Sequence, residues 1–248
     1  MSETSNSVGA QDFVLTMERP ASLAETAAKK LREGILSGQL KPGTRLIEAD
    51  VSQQFRISRS TLRQALHTLH REGLIEIQKN RGTYVASPRG EDIEHMSLLR
   101  GLIEGAAARL VAAPRDPGGL ARLRAIVERQ RQAIGGADRE GFIDLHWAFH
   151  QGICEEAGNP FILQSWTVLG NTIRLYYRLV MNIGTAVRDN GLFCDYLEGE
   201  SPDAAEELLR GQLLVRAYHH LKKPIPASVL PYIRRYVAEG GRVVLGPP

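Results

Sequence analysis

The spacing of the apolar residues changes twice along this chain of 248 residues, and each change marks a change of structure. Up to Gly73 they recur every third or fourth position, the period of a helix with one buried face. From Leu74 to Val85 the period drops to two, as in a strand pair. From Ile93 onward it is helical again, with almost no β-branched alternation. The expected fold is therefore mainly α, with three helices and a β-hairpin followed by an all-α bundle of six or seven helices. Residues 1–21, polar and closed by Pro20, are expected to be a flexible arm. Residues 22–87 and 88–223 are expected to be two domains, and 224–248 a C-terminal extension.

Within the first domain, Ser22-Leu23-Ala24-Glu25 has capping-box spacing, and Leu23, Ala27, Leu31 and Ile35 share a helix face that ends at Gly38. Lys41-Pro42-Gly43-Thr44 is a turn and Arg45-Leu46-Ile47 a short strand, followed by a helix from Glu48 to Phe55. The next helix carries both end signals, Ser58 as N-cap and Gly73 as terminator. Leu62, Ala65, Leu66 and Leu69 form its buried stripe, and the opposite face holds Arg59, Ser60, Arg63, Gln64, His67 and Arg71. That face is either a solvated surface or one that offers guanidinium groups and a helix N-terminus to phosphates and guanine edges. The hairpin that follows turns at Lys79-Asn80-Arg81-Gly82. A helix-turn-helix with a basic hairpin behind it is the arrangement of a recognition helix and its wing, which favours the second reading.

Charge is distributed to match. Residues 22–87 carry 11 Lys/Arg against 6 Asp/Glu, a net of +5, while residues 88–248 carry 19 of each. A basic module beside a neutral one points to a polyanion partner at the N-terminal side. Cys154 and Cys194 are expected to be reduced core thiols. No apolar run reaches the roughly 18 residues of a membrane span, so a soluble, cytoplasmic protein is expected. Nucleophile elbow, phosphate loop and paired-carboxylate spacing are missing, which argues against an enzyme. The alternative is a helical metal-dependent enzyme using His146, His150 and a carboxylate such as Glu104, with Asp144 or Glu155 as base.

In the second domain helices are expected over 93–113, 120–134, 138–157, 161–183, 189–197 and 202–221, the first with Met96, Leu99, Ile103 and Leu110 on one side. Arg100, Arg174 and Arg178, with Tyr176 and Tyr177, are long polar side chains on otherwise apolar helices. An inward arginine would clamp a carboxylate, whereas Arg100 pairing with Glu104 at i+4 is the simpler alternative. His146 and His150 lie one turn apart, with Cys154 a turn further. They fit either a metal or a hydrogen-bonded core pair. Leu230, Ile233 and Val237 give the extension a last helix, with Arg234 and Arg235 opposite.

The runs from Leu31 to Leu46, Ile57 to Leu66, Glu72 to Ile75 and Asn80 to Val85 resemble the winged helix-turn-helix of GntR-type bacterial transcription regulators. Arg100-Gly101-Leu102-Ile103-Glu104 with Ala106-Ala107-Ala108, and Trp147-Ala148-Phe149-His150, resemble the FCD effector domain of the FadR branch. The resemblance implies a homodimer on a palindromic operator in double-stranded DNA, contacted by Ser58, Arg59, Ser60, Thr61 and Arg63 and, in the minor groove, by Lys79, Asn80, Arg81 and Gly82. Some relatives have a basic residue where Ala49 stands. It also implies a small organic acid as effector, for which Arg100, Glu104, His146, His150 and Arg174 are the candidate binding residues and Arg100 the favoured clamp. Many relatives hold a divalent metal through an Asp four residues before the His of the Phe-His motif and two further His on later helices. Here those positions are aligned with His146, Asn190 and Gly211, so no cofactor is expected to be required and His146 and His150 alone remain as metal candidates.

Overall fold

A computed structural model describes residues 22–112, 117–180, 183–199 and 201–238. The expected arm, 1–21, and the last ten residues lie outside the described residues. In chain order the elements are α1 (Leu23–Leu36), β1 (Arg45–Leu46), α2 (Glu48–Phe55), α3 (Arg59–Arg71), β2 (Ile75–Gln78) and β3 (Gly82–Val85). The second part is helical: α4 (Gly90–Ala112), α5 (Pro117–Gly135), α6 (Arg139–Glu156), α7 (Pro160–Val180), α8 (Ile183–Gly199), α9 (Pro202–Leu221) and α10 (Leu230–Ala238).

The helix ends form where hydroxyl and carboxylate groups satisfy free backbone N–H groups. Ser22 and Glu25 complete a reciprocal capping box on α1. Ser58 accepts from Thr61 N, Asp138 from Gly141 N and Ser201 from Ala204 N. The three strands form an antiparallel sheet in the order β1-β3-β2, in which Arg45 lies opposite Tyr84 and Ile77 opposite Thr83. Leu31, Ile35, Leu62, Leu66, Leu69, Leu74 and Val85 close a small core between α1, α3 and this sheet. Leu175 of α7 belongs to the same core, so the two modules share packed surface.

In the bundle α4 packs most extensively on α9, and α10 lies along the other side of α9. At Gly211 a Cβ would stand 2.9 Å from Tyr236 Cβ and 3.2 Å from Tyr232 O, so glycine lets α9 and α10 approach closely. Helix α8 begins at Ile183, earlier than expected, because Gly184 is accommodated in its first turn. The larger correction concerns α4. Leu99, from the apolar side read in the sequence, is 41% exposed, together with Leu98 and Leu102. The buried face instead carries Ser97, Arg100, Glu104, Ala107 and Ala108. Polar residues can face inward there because they satisfy one another. Both cysteines are buried free thiols. No helix among the described residues is long and apolar enough to cross a membrane.

Candidate functional sites: an exposed basic edge and a buried polar cluster

The first site is an edge of the N-terminal module. Helix α3 buries Leu62, Ala65, Leu66 and Leu69 and leaves Arg59, Ser60, Arg63, Gln64 and His67 in solvent. At its N-terminus Ser58 Oγ lies 2.8 Å from both Ser60 Oγ and Thr61 Oγ1 and accepts from Thr61 N at 3.1 Å. Three hydroxyls therefore crowd the positive end of the helix dipole. Arg63 extends to solvent but rests on α2, its Nε donating to Glu48 Oε2 at 2.8 Å. Lys79, Asn80 and Arg81 are exposed at the hairpin tip, where Asn80 has φ 62° and Gly82 φ 108°. A left-handed tip of this kind projects the three side chains beyond the sheet. Arg45 joins them, although no local pattern in the sequence marks it as a contact residue. Its guanidinium lies 6.0 Å from the Tyr84 ring centroid and against the Gly82 backbone. The signal for it is the short strand, which places residue 45 beside the wing once β1 is paired with β3.

The second site lies inside the bundle, where Arg100, Glu104, His146 and His150 meet with at most 2% exposure. Arg100 Nε donates to Glu104 Oε1 at 2.7 Å and Nη2 to Tyr177 OH at 2.5 Å. Glu104 Oε2 lies 2.5 Å from His150 Nδ1, His150 Nε2 lies 3.2 Å from His146 Nε2, and His146 Nδ1 lies 3.1 Å from Asn190 Nδ2. The amide end assigns the protons. Asn190 Nδ2 is a donor, so His146 Nδ1 accepts, His146 Nε2–H donates to His150 Nε2, and His150 Nδ1–H donates to the carboxylate. Both imidazoles are neutral in this chain. Burial drives both histidine pKa values well below 6.5, with the arginines Arg100 and Arg216 adding to the effect. Burial also raises Glu104, to about 7, against the pull of Arg100. For Arg100 burial opposes the charge, but Glu104 and the two tyrosines outweigh it and the pKa rises. Asn190 Oδ1 and Trp166 Nε1, both buried, have no hydrogen-bond partner among the described residues.

The favoured clamp is therefore already engaged, in the i+4 pair that was its alternative. Arg174 lies elsewhere, bonded to Asp144 Oδ1 at 2.5 Å and stacked over Trp147, and Arg178 pairs with Glu140. On α9 Gly211 faces α10, and its neighbour Gln212 is buried against the helix that carries Asn190. Gln212 Nε2 donates to Asp189 O at 2.9 Å. Asp189 is held by Arg188, Arg216 and Tyr236, which fixes the helix turn that presents Asn190. A divalent cation fits these residues poorly. The two Nε2 atoms converge, but no group of three or more His, Cys, Asp or Glu able to hold a metal occurs among the described residues. All four ring nitrogens are engaged, and Arg100 and Arg216 make the surroundings electropositive.

Comparison with known proteins agrees with this two-part architecture. Residues 23–85 match the profile of bacterial regulatory proteins of the gntR family, and residues 95–213 that of the FCD domain. The chain is 35% identical to the HTH-type transcriptional repressor RspR of Escherichia coli over 121 residues, 49% of this chain and 53% of that protein. It thus spans about half the length of that curated relative. It is 26% identical to the uncharacterized HTH-type transcriptional regulator YdhC of Bacillus subtilis, across 86% of this chain and 85% of the relative. A putative GntR transcriptional regulator from Rhodococcus sp. RHA1 superposes with a TM-score of 0.69 at 25% identity, covering 80% of this chain and 97% of that one. With both profiles matched in order, and an exposed basic edge and a buried polar cluster in the corresponding modules, the chain belongs to the GntR family of bacterial regulatory proteins and carries an FCD domain behind its winged helix-turn-helix.

Proposed function

We propose that this protein is a ligand-responsive transcription regulator that binds double-stranded DNA through α3 and the wing. The observation that carries this reading is the exposed N-terminus of α3. Arg59, Arg63 and three hydroxyls stand there clear of the module's core, beside a wing tip bearing Lys79 and Arg81. Arg63 reads guanine edges in the major groove, Ser58, Ser60 and Thr61 engage phosphate, and Lys79, Asn80, Arg81 and Arg45 follow the adjacent backbone and minor groove. RspR, a relative, is named a repressor, and repression by operator occupancy is the mode proposed here. A single recognition helix reads only a few base pairs, so the protein acts as a homodimer on a palindrome. Helices α4 and α7 are neighbours and leave Leu98, Leu102, Phe161 and Val168 exposed, which supplies apolar surface for the second copy.

The buried cluster is the proposed effector site, and its ligand is a small organic acid. Arg100 supplies the buried cation, and Trp166 Nε1 and Asn190 Oδ1 supply a donor and an acceptor without partners among the described residues. Protonation of Glu104 would release Arg100 to a ligand carboxylate. No resident metal takes part. The enzyme alternative has little support, since Asp144 is tied to Arg174 and Glu155 to Gln151, away from the histidines. The test is selection of duplexes from a random library by the full-length protein, followed by titration of the selected duplex in the presence of a panel of carboxylates. An enriched palindrome whose affinity changes with one acid supports the reading. Failure to enrich any duplex would refute it.

A further inference from the structure

Helix α7 touches both the C-terminal end of α3 and the buried cluster within two turns. On one side Asn171 Nδ2 donates to Glu72 Oε2 at 3.0 Å, Thr172 Oγ1 donates to Glu72 O at 3.2 Å, and Leu175 is buried in the N-terminal core. Glu72 is the C-cap of α3, and its carboxylate is also held by Arg32 of α1 at 2.7 and 2.5 Å. The next residue, Gly73, has φ 70°, and a Cβ there would stand 2.5 Å from Thr172 Oγ1. Only glycine lets α7 lie this close to the end of the recognition helix. On the other side Tyr176 OH lies 3.1 Å from Ser97 Oγ, and Tyr177 OH accepts from Arg100. Residues 175 and 177 are about 200° apart around a helix of 3.6 residues per turn, so they serve opposite faces.

We propose that α7 positions the C-terminal end of the recognition helix according to the state of the buried cluster, with Tyr177 as the positioning residue and Asn171 and Thr172 as the clamp on Glu72. The proposal rests on the reading of the cluster as effector site and of α3 as the DNA-reading helix. It differs from the simpler route through the linker and α4, on which Arg100 itself lies. When Arg100 changes partner, Tyr177 loses or moves its hydrogen bond. A helix transmits that displacement along its length because its backbone is internally bonded, and hydrogen bonds as short-ranged as those to Glu72 are either made or broken. The clamp thus has two discrete arrangements, which is what coupling between two sites requires.

Hydrogen exchange measured by mass spectrometry on the full chain, with neither effector nor DNA, tests this. In Tyr177→Phe, exchange over residues 69–75 should rise roughly fivefold, the equivalent of one hydrogen bond of about 1 kcal/mol at 1.4 kcal/mol per factor of ten, while α2 and α10 keep their wild-type rates. In an Asn171→Ala/Thr172→Val background the same substitution should add nothing at 69–75. Thr172→Ser, which keeps the hydroxyl, should behave as wild type. Unchanged exchange at 69–75, an equal rise in the clamp-free background, or a uniform rise across all helices would each overturn the proposal. If Tyr177→Phe does not fold, Thr172→Val serves in reverse and must raise exchange over residues 100–104; no change there overturns the proposal equally. Such failures would fall on α7 alone, since the duplex selection above tests the two site readings separately.

Discussion

Two of the molecule's arginine–carboxylate pairs are nearly equal in length but stand in opposite surroundings. Arg63 Nε and Glu48 Oε2 are 2.8 Å apart, with side chains 64% and 33% exposed. Arg100 Nε and Glu104 Oε1 are 2.7 Å apart, with side chains 2% and 0% exposed. Distance alone would give the pairs equal weight, but the dielectric separates them. In water the surface pair is screened and exchanges partners cheaply, so Glu48 leaves Arg63 available for the phosphate or base edge proposed above. Inside the bundle neither partner can leave without stranding a charge unless a proton or another ion takes its place, so the same chemistry there fixes structure and makes any change of partner a large event.

The largest effect that would sharpen this contrast is in stability. Arg100→Met should cost about 3–5 kcal/mol in urea unfolding because it strands the Glu104 carboxylate, and adding Glu104→Leu should restore most of the loss. A double variant no more stable than the single one would break the comparison on the buried side. Next is DNA affinity. Arg63→Ala should lose about 1–3 kcal/mol of specific binding, whereas Lys79→Ala should weaken selected and scrambled duplexes alike and reduce the salt slope by about one. Both are read by titration at two or more salt concentrations.

A smaller effect concerns pH. The two buried histidines have lowered pKa values, so their contribution to stability is present above 6.5 and is lost as pH falls below it. Glu104 is raised from 4.5 to about 7, so it contributes stability that is fully present below 4.5 and lost as pH rises through 7. Between pH 7 and 5 the two trends oppose one another. Glu104→Gln removes one of them, and its unfolding midpoint should fall more steeply on acidification than that of the wild type. Parallel curves would show that Glu104 does not titrate there. The smallest effect is at the surface pair, where Glu48→Ala should change stability by less than about 1 kcal/mol, measured by the same urea titration. A larger loss would erase the distinction between the pairs.

The same contrast explains what was legible in the sequence. The recognition helix and wing were readable because their ends are marked by residues with one strong local preference, namely Ser58, Gly73, Asn80 and Gly82. Arg45 escaped because its position depends on β1 pairing with β3, a contact across nearly forty residues. Helix α4 was legible as a helix but not in its orientation. It carries apolar residues on several sides, and its buried face is chosen by the Arg100–Glu104 pair and the close packing of Ala107 and Ala108 against neighbouring helices. The side of α9 that Gly211 occupies was hidden for a similar reason, since one residue on a helix is a rotation of about 100° and only the packing of α10 shows that Gly211 meets it. The start of α8 was misplaced because a glycine in a first helical turn resembles a stop.

The most direct test of the central claim is a competition titration of the selected palindrome against a scrambled duplex, for wild type and Arg63→Ala at fixed salt. If α3 reads bases through Arg63, the variant loses roughly tenfold or more for the palindrome and little for the scrambled duplex, so the specificity ratio collapses. An unchanged ratio, or an equal loss on both duplexes, would contradict the account, for it would mean that the exposed edge of α3 holds DNA by charge alone or does not hold it at all.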